Sequence, residues 1–423
     1  KNHLRESLVL NTYLLVLMRI LQTGFGFLFW IVAARTMPPD QVGLASGAVA
    51  ASTLLAGMAH LGMTYGLLKY LPLASDPDRL LNTSITISGL ISAGAALVFL
   101  AGLGRWSSEL LPLRSSLLDV VNFLLLVVAS TLAILLHAAF LALRGLKYSL
   151  LRQVGQAVLS LALLPILLQL LPGYSAAITA NVVAWIASTY LSFSQFLPAM
   201  RPAYRFRPSL RFLPKTPFAR YSTSNFIGDQ IQRAPEVLLP LAVLQEFGRS
   251  TGAHFFVVWT IARGTASFAT AVADSFFAEG AHRPGMEGVY VRRAARIGSV
   301  LSAGLALATF AAGPYVLALY GRSYMEEGVA LLNYTVLAGI PGVFLAIFVS
   351  FLRLQERLRA VFTVQALSHG LGGLFAVAMM QRSFTGIGIG WLAAQVLVLG
   401  GALTWWHLHG NSRTATVAGA SQG

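Results

Sequence analysis

The chain has 423 residues, of which 56% are hydrophobic and only 11% charged, with a mean hydropathy of +0.70 and a formal net charge of +15. A soluble domain carries about a quarter charged residues, so too little polar surface exists here to coat a particle in water. Cysteine is absent, which excludes disulfides and thiolate metal sites.

Apolar stretches of about 20 residues recur along the whole length, the pattern of membrane-spanning helices. Bilayer hydrocarbon offers no water to backbone groups, and strand alternation is missing, so a helical bundle is expected rather than a barrel. In chain order the expected spans are 9–36, 42–71, 80–103, 117–143, 149–171, 175–199, 219–245, 252–279, 292–313, 328–352, 358–381 and 384–408. Turn chemistry marks the breaks, as at Met37-Pro38-Pro39-Asp40, Ser75-Asp76-Pro77-Asp78, Leu171-Pro172-Gly173 and Arg283-Pro284-Gly285. The sequence begins at Lys1 rather than Met, so a short N-terminal piece is expected to precede it. The small, polar tail from Gly410 is expected to be disordered.

The longest polar stretch, 200–218, holds Arg201, Arg205, Arg207, Arg211 and Lys215 among four prolines. It suggests an N-terminal six-helix lobe (1–200), a basic linker (201–218), a C-terminal six-helix lobe (219–409) and the tail (410–423). Of the 30 Lys and Arg, 21 fall on the side that holds the N-terminus, Arg152 among them, and six on the other. The positive-inside rule then places both termini in the cytoplasm. Basic residues so dispersed over short loops exclude nucleic acid as a partner and need no more than this topological role, although they also suit anionic lipid. Phe140-Leu141-Ala142-Leu143-Arg144 and Phe351-Leu352-Arg353-Leu354-Gln355 occupy matching places in the two halves, the mark of a parallel internal repeat.

Three cations remain inside spans, Arg19, Arg233 and Arg263, with the acids Asp229, Glu236 and Asp274. A charge at mid-bilayer costs about 2.5–3.5 kcal/mol, so such groups face a cavity or a partner. Arg19 is followed by Gln22, Thr23, Gly24 and Gly26, a polar run that marks a face turned away from lipid. It reads either as a cavity cation for an anionic headgroup or as half of a pair with an acid on another helix. Asp229, Arg233 and Glu236 sit at i, i+4 and i+7 on one helical face, next to Pro235, which is expected to kink the helix. They read equally as a gating or ion-coupling stripe and as a self-neutralising trio. Arg263 and Asp274 share a face but stand about 16 Å apart, too far to pair. Arg263, beside Gly264 and Thr265, is the second headgroup candidate, and Asp274 suits an interfacial pair with Arg292 or Arg293. His60, His137, His254 and His369 read as buried neutral imidazoles making one hydrogen bond each rather than as a proton relay.

The opening helices run Arg19, then Phe29-Trp30-Ile31-Val32-Ala33-Ala34-Arg35-Thr36-Met37-Pro38, then Val42-Gly43-Leu44-Ala45-Ser46. Leu61-Gly62-Met63 and Lys69-Tyr70-Leu71-Pro72 follow, and Leu319-Tyr320-Gly321-Arg322-Ser323-Tyr324 precedes the tenth span. Together these resemble the polysaccharide flippases of the multidrug/oligosaccharidyl-lipid/polysaccharide (MOP) exporter superfamily. The resemblance implies two six-helix lobes around a central cationic cavity. It also implies alternating access that carries an undecaprenyl-diphosphate-linked oligosaccharide between leaflets for cell-surface polysaccharide synthesis. It assigns headgroup contact to Arg19 and Arg263, with Arg233 a weaker transfer and Gln22 beside them. Twelve spans rather than 14 set the chain apart from the lipid II flippases.

The cargo chemistry points the same way, because a diphosphate accepts bidentate guanidinium hydrogen bonds. No nucleotide-binding Gly-rich loop is present, so no cofactor is expected, and Na⁺ or H⁺ coupling or membrane potential would supply the energy. Expected partners are lipid-linked oligosaccharide, membrane lipid and polysaccharide-assembly proteins, in a bacterial or archaeal inner membrane. The alternatives are an antiporter for drugs or cations of the same superfamily and, from another class, a membrane polysaccharide polymerase or ligase. The first wants an acid-lined cavity in the N-terminal lobe, where the deep charge is Arg19. The second wants a catalytic external loop, whereas the longest one, 104–116, carries neither His nor paired carboxylates.

Overall fold

The computed structural model describes residues 20–210, 217–281, 287–355 and 357–409, and their regular elements are all helical. In order these are α1 (Ile20–Thr36), α2 (Pro39–Ala59), α3 (Met63–Tyr70), α4 (Pro77–Trp106), α5 (Leu117–Ala142), α6 (Leu146–Leu167) and α7 (Gly173–Met200). Then come α8 (Pro217–Ala281), α9 (Glu287–Tyr320), α10 (Arg322–Leu354), α11 (Leu358–Met380) and α12 (Gly386–His409). Among the described residues, nine helices are long and apolar enough to cross a membrane. The chain is an all-α, multi-pass membrane protein.

The helices fall where the apolar periodicity puts them, with instructive differences. The stretch expected as one span over 42–71 divides into α2 and α3, because Leu61 (φ 48°) and Gly62 (φ 73°) turn the chain through left-handed backbone. The seventh and eighth spans join in the 65-residue α8, broken at Gly248 (φ 82°, ψ 179°), where only glycine sits without strain. That break, rather than Pro235, is where non-helical backbone interrupts α8.

Local chemistry sets several ends. Asp76 caps α4, its Oδ1 accepting from Arg79 N at 3.0 Å, with Pro77 in the first turn. Ser116 caps α5 through Asp119 N at 3.1 Å. At the other end of α5, Arg144 takes φ 58° while Gly145 N bonds Phe140 O at 2.7 Å and Arg144 N bonds Leu141 O at 3.0 Å, a Schellman closure. Within the helices, hydroxyls such as those of Thr131, Thr309 and Thr335 bond the carbonyl four residues back, so they need no partner on a neighbouring helix.

The chain forms two compact units, one of Lys1–Gln230 and Glu236–Ala253, the other of Ile231–Pro235 and His254–Gly423. Most of the seventh span, expected with the C-terminal half, therefore packs within the first unit.

In the first unit α5 packs against α2, α3, α4, α6 and α7. Its two ends lie in separate cores, Phe123 among Leu44, Leu103, Ile178 and Leu244, and Phe140 among Leu67, Leu81, Leu136 and Leu197. The basic segment after α7 is fastened to α4. Arg201 Nε donates to Asp78 Oδ1 at 2.5 Å, Tyr204 OH to Asn82 Oδ1 at 2.7 Å, and Asn82 Nδ2 to Arg205 O at 3.0 Å.

Two glycine pairs bring α8 onto this unit. A Cβ on Gly43 would run into the Arg249 carbonyl, and one on Gly47 would lie 2.7 Å from Leu244 Cδ2. A Cβ on Gly62 would run into the Ser222 carbonyl, and one on Gly66 into Ser222 Oγ. Each pair has the G-x-x-x-G spacing that lets helix backbones touch in lipid.

In the second unit α10 packs against α9, α11 and α12, and α11 pairs with α12. Leu345, Val349 and Leu352 of α10 meet Val361, Val364, Val398 and Ala402, while Val343 and Ile347 meet Ala294. Ser368 Oγ and Gln395 Oε1 bond at 2.9 Å across the α11–α12 pair.

Gly43→Ala places a methyl group against backbone that cannot yield, and is expected to cost about 1–3 kcal/mol. Gly94→Ala, which meets nothing within 4 Å, should stay within about 1 kcal/mol of wild type. Thermal unfolding of both variants in detergent separates close packing from helix propensity, and equal melting temperatures would refute the backbone contact.

Candidate functional site

The residues named from the sequence are spread over α1 and α8. Arg19 lies outside the described residues. Gln22 is exposed on α1. On α8, Arg233 and Arg263 are exposed and Glu236 is half-buried, while Asp229 and Asp274 have helical backbone but side chains outside those described. Asp229, Arg233 and Glu236 precede the break at Gly248 and Arg263 follows it. Gln22 and Glu236 belong to the first unit, Arg233 and Arg263 to the second.

Three polar clusters stand out, each built inside one unit; the first escaped the sequence reading, and the other two gather partners around His137 and His254. The first surrounds Asp119 at the start of α5, a residue only 5% exposed. Its Oδ2 accepts from Ser115 Oγ at 3.0 Å, Ser116 Oγ at 2.6 Å and Tyr174 OH at 3.1 Å. Its Oδ1 accepts from Ser175 Oγ. Gln41 Oε1 takes the Tyr174 backbone N–H at 3.2 Å. Neutral hydroxyls from two helix starts thus supply the donors that a buried carboxylate requires. Ser116 just before α5, with Asp119 three residues on, carries a capping signature that the apolar scan passed over.

The second cluster joins α5 to α6. His137 Nδ1 lies 2.7 Å from Ser149 Oγ and 3.3 Å from Gln153 Nε2, and Gln153 Nε2 lies 3.1 Å from Ser149 Oγ. One turn away, Arg152 is 3% exposed and donates through Nη2 to Ala133 O at 3.3 Å. Its guanidinium carbon stands 5.6 Å from the Trp185 ring centroid on α7. Arg152 Nε and Nη1 are buried and have no hydrogen-bond partner among the described residues. The tally of loop charges treats Arg152 as a topology determinant, whereas the structure buries it. His137 makes its bond to a neutral hydroxyl, as its reading anticipates.

The third cluster lies in the second unit. His254, 1% exposed, bonds Glu327 Oε2 through Nδ1 at 2.8 Å and packs edge-on against Tyr324 at 4.5 Å. It makes the single bond expected of it, but to a carboxylate. His60, which is buried, has Nδ1 3.0 Å from Gly62 N, and His369, half-buried rather than buried as expected, has Nδ1 3.0 Å from Gln365 O.

Outside the spans, burial pushes the Tyr204 phenol above its ordinary range, and the Asp78 charge adds to the shift. Loss of the phenolic proton is therefore disfavoured in the folded chain.

No protein-family model matches the sequence, and neither does any curated protein. Solved structures match it over nearly its whole length. An inward-facing multidrug resistance MATE family transporter of the MOP superfamily superposes with TM-score 0.69 at 14% identity, covering 92% of this chain and 94% of that one. The lipid II flippase MurJ, in an inward closed conformation, gives TM-score 0.70 at 10% identity, covering 94% of this chain and 87% of that one. A MOP superfamily transporter from Pyrococcus furiosus, whose structure is described by a reversed polarity of its binding pocket, gives 0.59 at 13%, covering 95% of each chain. At these identities the likeness is one of fold, and the fold is that of MOP superfamily transporters.

Two outcomes follow. Asp119→Ala leaves four hydroxyls without their acceptor and should cost on the order of 3 kcal/mol, with Asp119→Asn falling between it and wild type in melting temperature. Tyr204→Phe should cost about 1 kcal/mol near neutral pH. Because the folded phenol holds its proton more tightly than the unfolded one, that stabilisation is present below about pH 10. It fades as pH climbs through the raised value, so wild type and Tyr204→Phe converge at high pH. A constant gap in an alkaline unfolding series would contradict this.

Proposed function

We propose that the chain is a flippase that moves a polyprenyl-diphosphate-linked oligosaccharide from the cytoplasmic to the outer leaflet by alternating access, for cell-surface polysaccharide synthesis. The observation that carries the reading is a fold shared with a lipid II flippase over 94% of the chain, in a sequence whose Lys and Arg outnumber its Asp and Glu by 30 to 15. A diphosphate headgroup needs guanidinium donors in a site shielded from bulk water, and sugars need only hydroxyl and amide partners. Arg19 and Arg263 take the diphosphate, Arg233 and Gln22 flank it, and Asp229, Glu236 and Asp274 serve gating or ion coupling. The polyprenyl tail stays in lipid throughout.

The protein sits in a bacterial or archaeal inner membrane with both termini cytoplasmic, as its charge asymmetry favours. Na⁺ or H⁺ coupling, or the membrane potential at about 2.3 kcal/mol per charge per 100 mV, supplies the driving force. No cofactor takes part, and polysaccharide-assembly proteins supply and receive the cargo.

A second reading, a MATE-like drug or cation antiporter, draws equal support from the superposition on a MATE transporter at TM-score 0.69. The flippase reading is favoured by the basic excess of the sequence, 30 Lys and Arg against 15 Asp and Glu; in the first unit the buried acid Asp119 has its oxygens taken by hydroxyls.

Native mass spectrometry of the lipid that co-purifies with the protein decides between them. A diphosphate-linked polyprenol is expected, and a bound organic cation would end the flippase reading. Arg19→Ala and Arg263→Ala should each abolish glycan export with the protein still folded in the membrane. Normal surface glycan in both variants would remove these residues from the site.

A further inference from the structure

Arg152 is the point in the first unit where the described side chains leave most chemistry unspent. It is 3% exposed and shares one face of α6 with Ser149 and Gln153, at i, i+3 and i+4. A guanidinium carries five N–H donors in a rigid plane, and here one bond, from Nη2 to Ala133 O at 3.3 Å, is long for a charge-assisted contact. Nε and Nη1 reach no acceptor among the described residues. The Trp185 ring, 5.6 Å from the guanidinium carbon, faces the cation but accepts no N–H in its plane. Buried hydrogen-bonding groups without partners are rare in native proteins, and a buried charge without one is rarer.

The surroundings suit an oxyanion and not a second cation. No described carboxylate pairs with Arg152. Its polar neighbours, His137, Ser149 and Gln153, are all uncharged hydrogen-bonding groups when the imidazole is neutral. Arg152 lies six residues beyond the first residue of α6, about 9 Å along the axis. His137 lies five residues before the last residue of α5, so both belong to the end of the unit where the α5–α6 turn emerges. The Nη2 bond to Ala133 O, nine residues before the last residue of α5, turns the guanidinium inward from that turn, where Arg144 and Lys147 add positive potential.

We propose that Arg152, on the α6 face it shares with Ser149 and Gln153 and opposite His137 of α5, is a binding residue for a phosphate-type oxyanion within the first unit. Guanidinium donors in a plane fit tetrahedral phosphate oxygens, and the buried position raises the strength of each contact. The same chemistry is presented by an anionic phospholipid headgroup and by free inorganic phosphate or pyrophosphate. The site is independent of the export reading, because it is a property of one unit and is measured by binding alone.

The test uses the full-length protein, purified and stripped of lipid in an uncharged detergent. Thermal unfolding is followed while inorganic pyrophosphate is titrated in one arm and phosphatidylglycerol in another, with a phosphate-free galactolipid as control. The variants are Arg152→Met, which keeps an unbranched apolar stem without charge, and Arg152→Lys, which keeps charge without the planar fork. Wild type should be stabilised in a saturable manner by at least one phosphate probe and not by the galactolipid. In Arg152→Met the concentration for half-maximal effect should rise at least tenfold, with Arg152→Lys between the two. A response to pyrophosphate assigns the site to free anion, and a response to phosphatidylglycerol alone assigns it to a lipid head.

Equal midpoints in wild type and Arg152→Met, or no response of wild type to either probe, would overturn the proposal. Where Arg152→Met does not fold, the Nε–H resonance that Arg152→Lys removes from ¹⁵N-arginine-labelled protein is followed instead. Its displacement by the phosphate probe supports the site, and a fixed resonance refutes it. Equal midpoints in wild type and Arg152→Met, with a diphosphate lipid still co-purifying, would sink the anion site while leaving the export reading standing.

Discussion

The absence of water in the hydrocarbon layer is the constraint on which this structure depends. In water, helices associate because apolar surface is expelled; in lipid that force vanishes, and close backbone approach and internal hydrogen bonds must take its place. The two glycine pairs of α2 and α3 answer the first need. Gly43 and Gly47 admit the chain around Leu244 and Arg249, and Gly62 and Gly66 admit Ser222 and Phe218. Two spacings of four residues, on successive helices, thus hold one long stretch of α8 against the first unit. The back-bonded hydroxyls answer the second need, removing polar groups from lipid without any tertiary partner.

What was legible in the sequence is what this constraint writes into it directly. Long apolar stretches interrupted by Pro, Gly and charge had to become helices, and α4, α5, α7, α11 and α12 begin and end within a few residues of their expected bounds, while α10 begins six residues early. Association was less legible. A scan for length and hydropathy treats every glycine as filler, so the pairs at Gly43 and Gly62 passed unnoticed although their spacing was visible. The seventh span was accordingly grouped by its place in the chain rather than by what its neighbours can accommodate. Arg152 was misread for a related reason. Counting Lys and Arg near span ends assumes that they reach water, and six residues into α6 that assumption fails because Ala133 and Trp185 of the neighbouring helices close over the side chain.

The matching segments Phe140–Arg144 and Phe351–Gln355 gain meaning from packing. They end α5 and α10, and each of these helices is the one around which its own unit is assembled. Within the segments burial is offset by one place: Phe140 is buried and its counterpart Phe351 half-buried, whereas Leu141 is half-buried and its counterpart Leu352 buried. A helix that contacts most others in its unit tolerates the least change in side-chain volume, so it is where a trace of an internal repeat would persist longest. Peripheral helices such as α6 and α9, which expose more surface to lipid, accept almost any apolar residue and erase such a trace.

Asp119 and Arg152 show how to tell a charge that holds a fold from a charge that waits for something. Both lie in the first unit and both are buried, and burial alone would class them together. Asp119 is surrounded by Ser115, Ser116, Ser175 and Tyr174, whose hydroxyls rotate to present their protons, so both of its oxygens are satisfied within the chain. Four neutral donors around one carboxylate join the starts of α5 and α7 and leave no capacity for a ligand. Arg152 has a fixed plane of donors and only a distant carbonyl and an aromatic face to meet them. A residue that merely tied α6 to its neighbours would serve better as an apolar side chain of equal length, since that would bring no desolvation cost. Retaining a guanidinium there is economical only if its remaining N–H groups are used, and the groups that use them best are the oxygens of a phosphate.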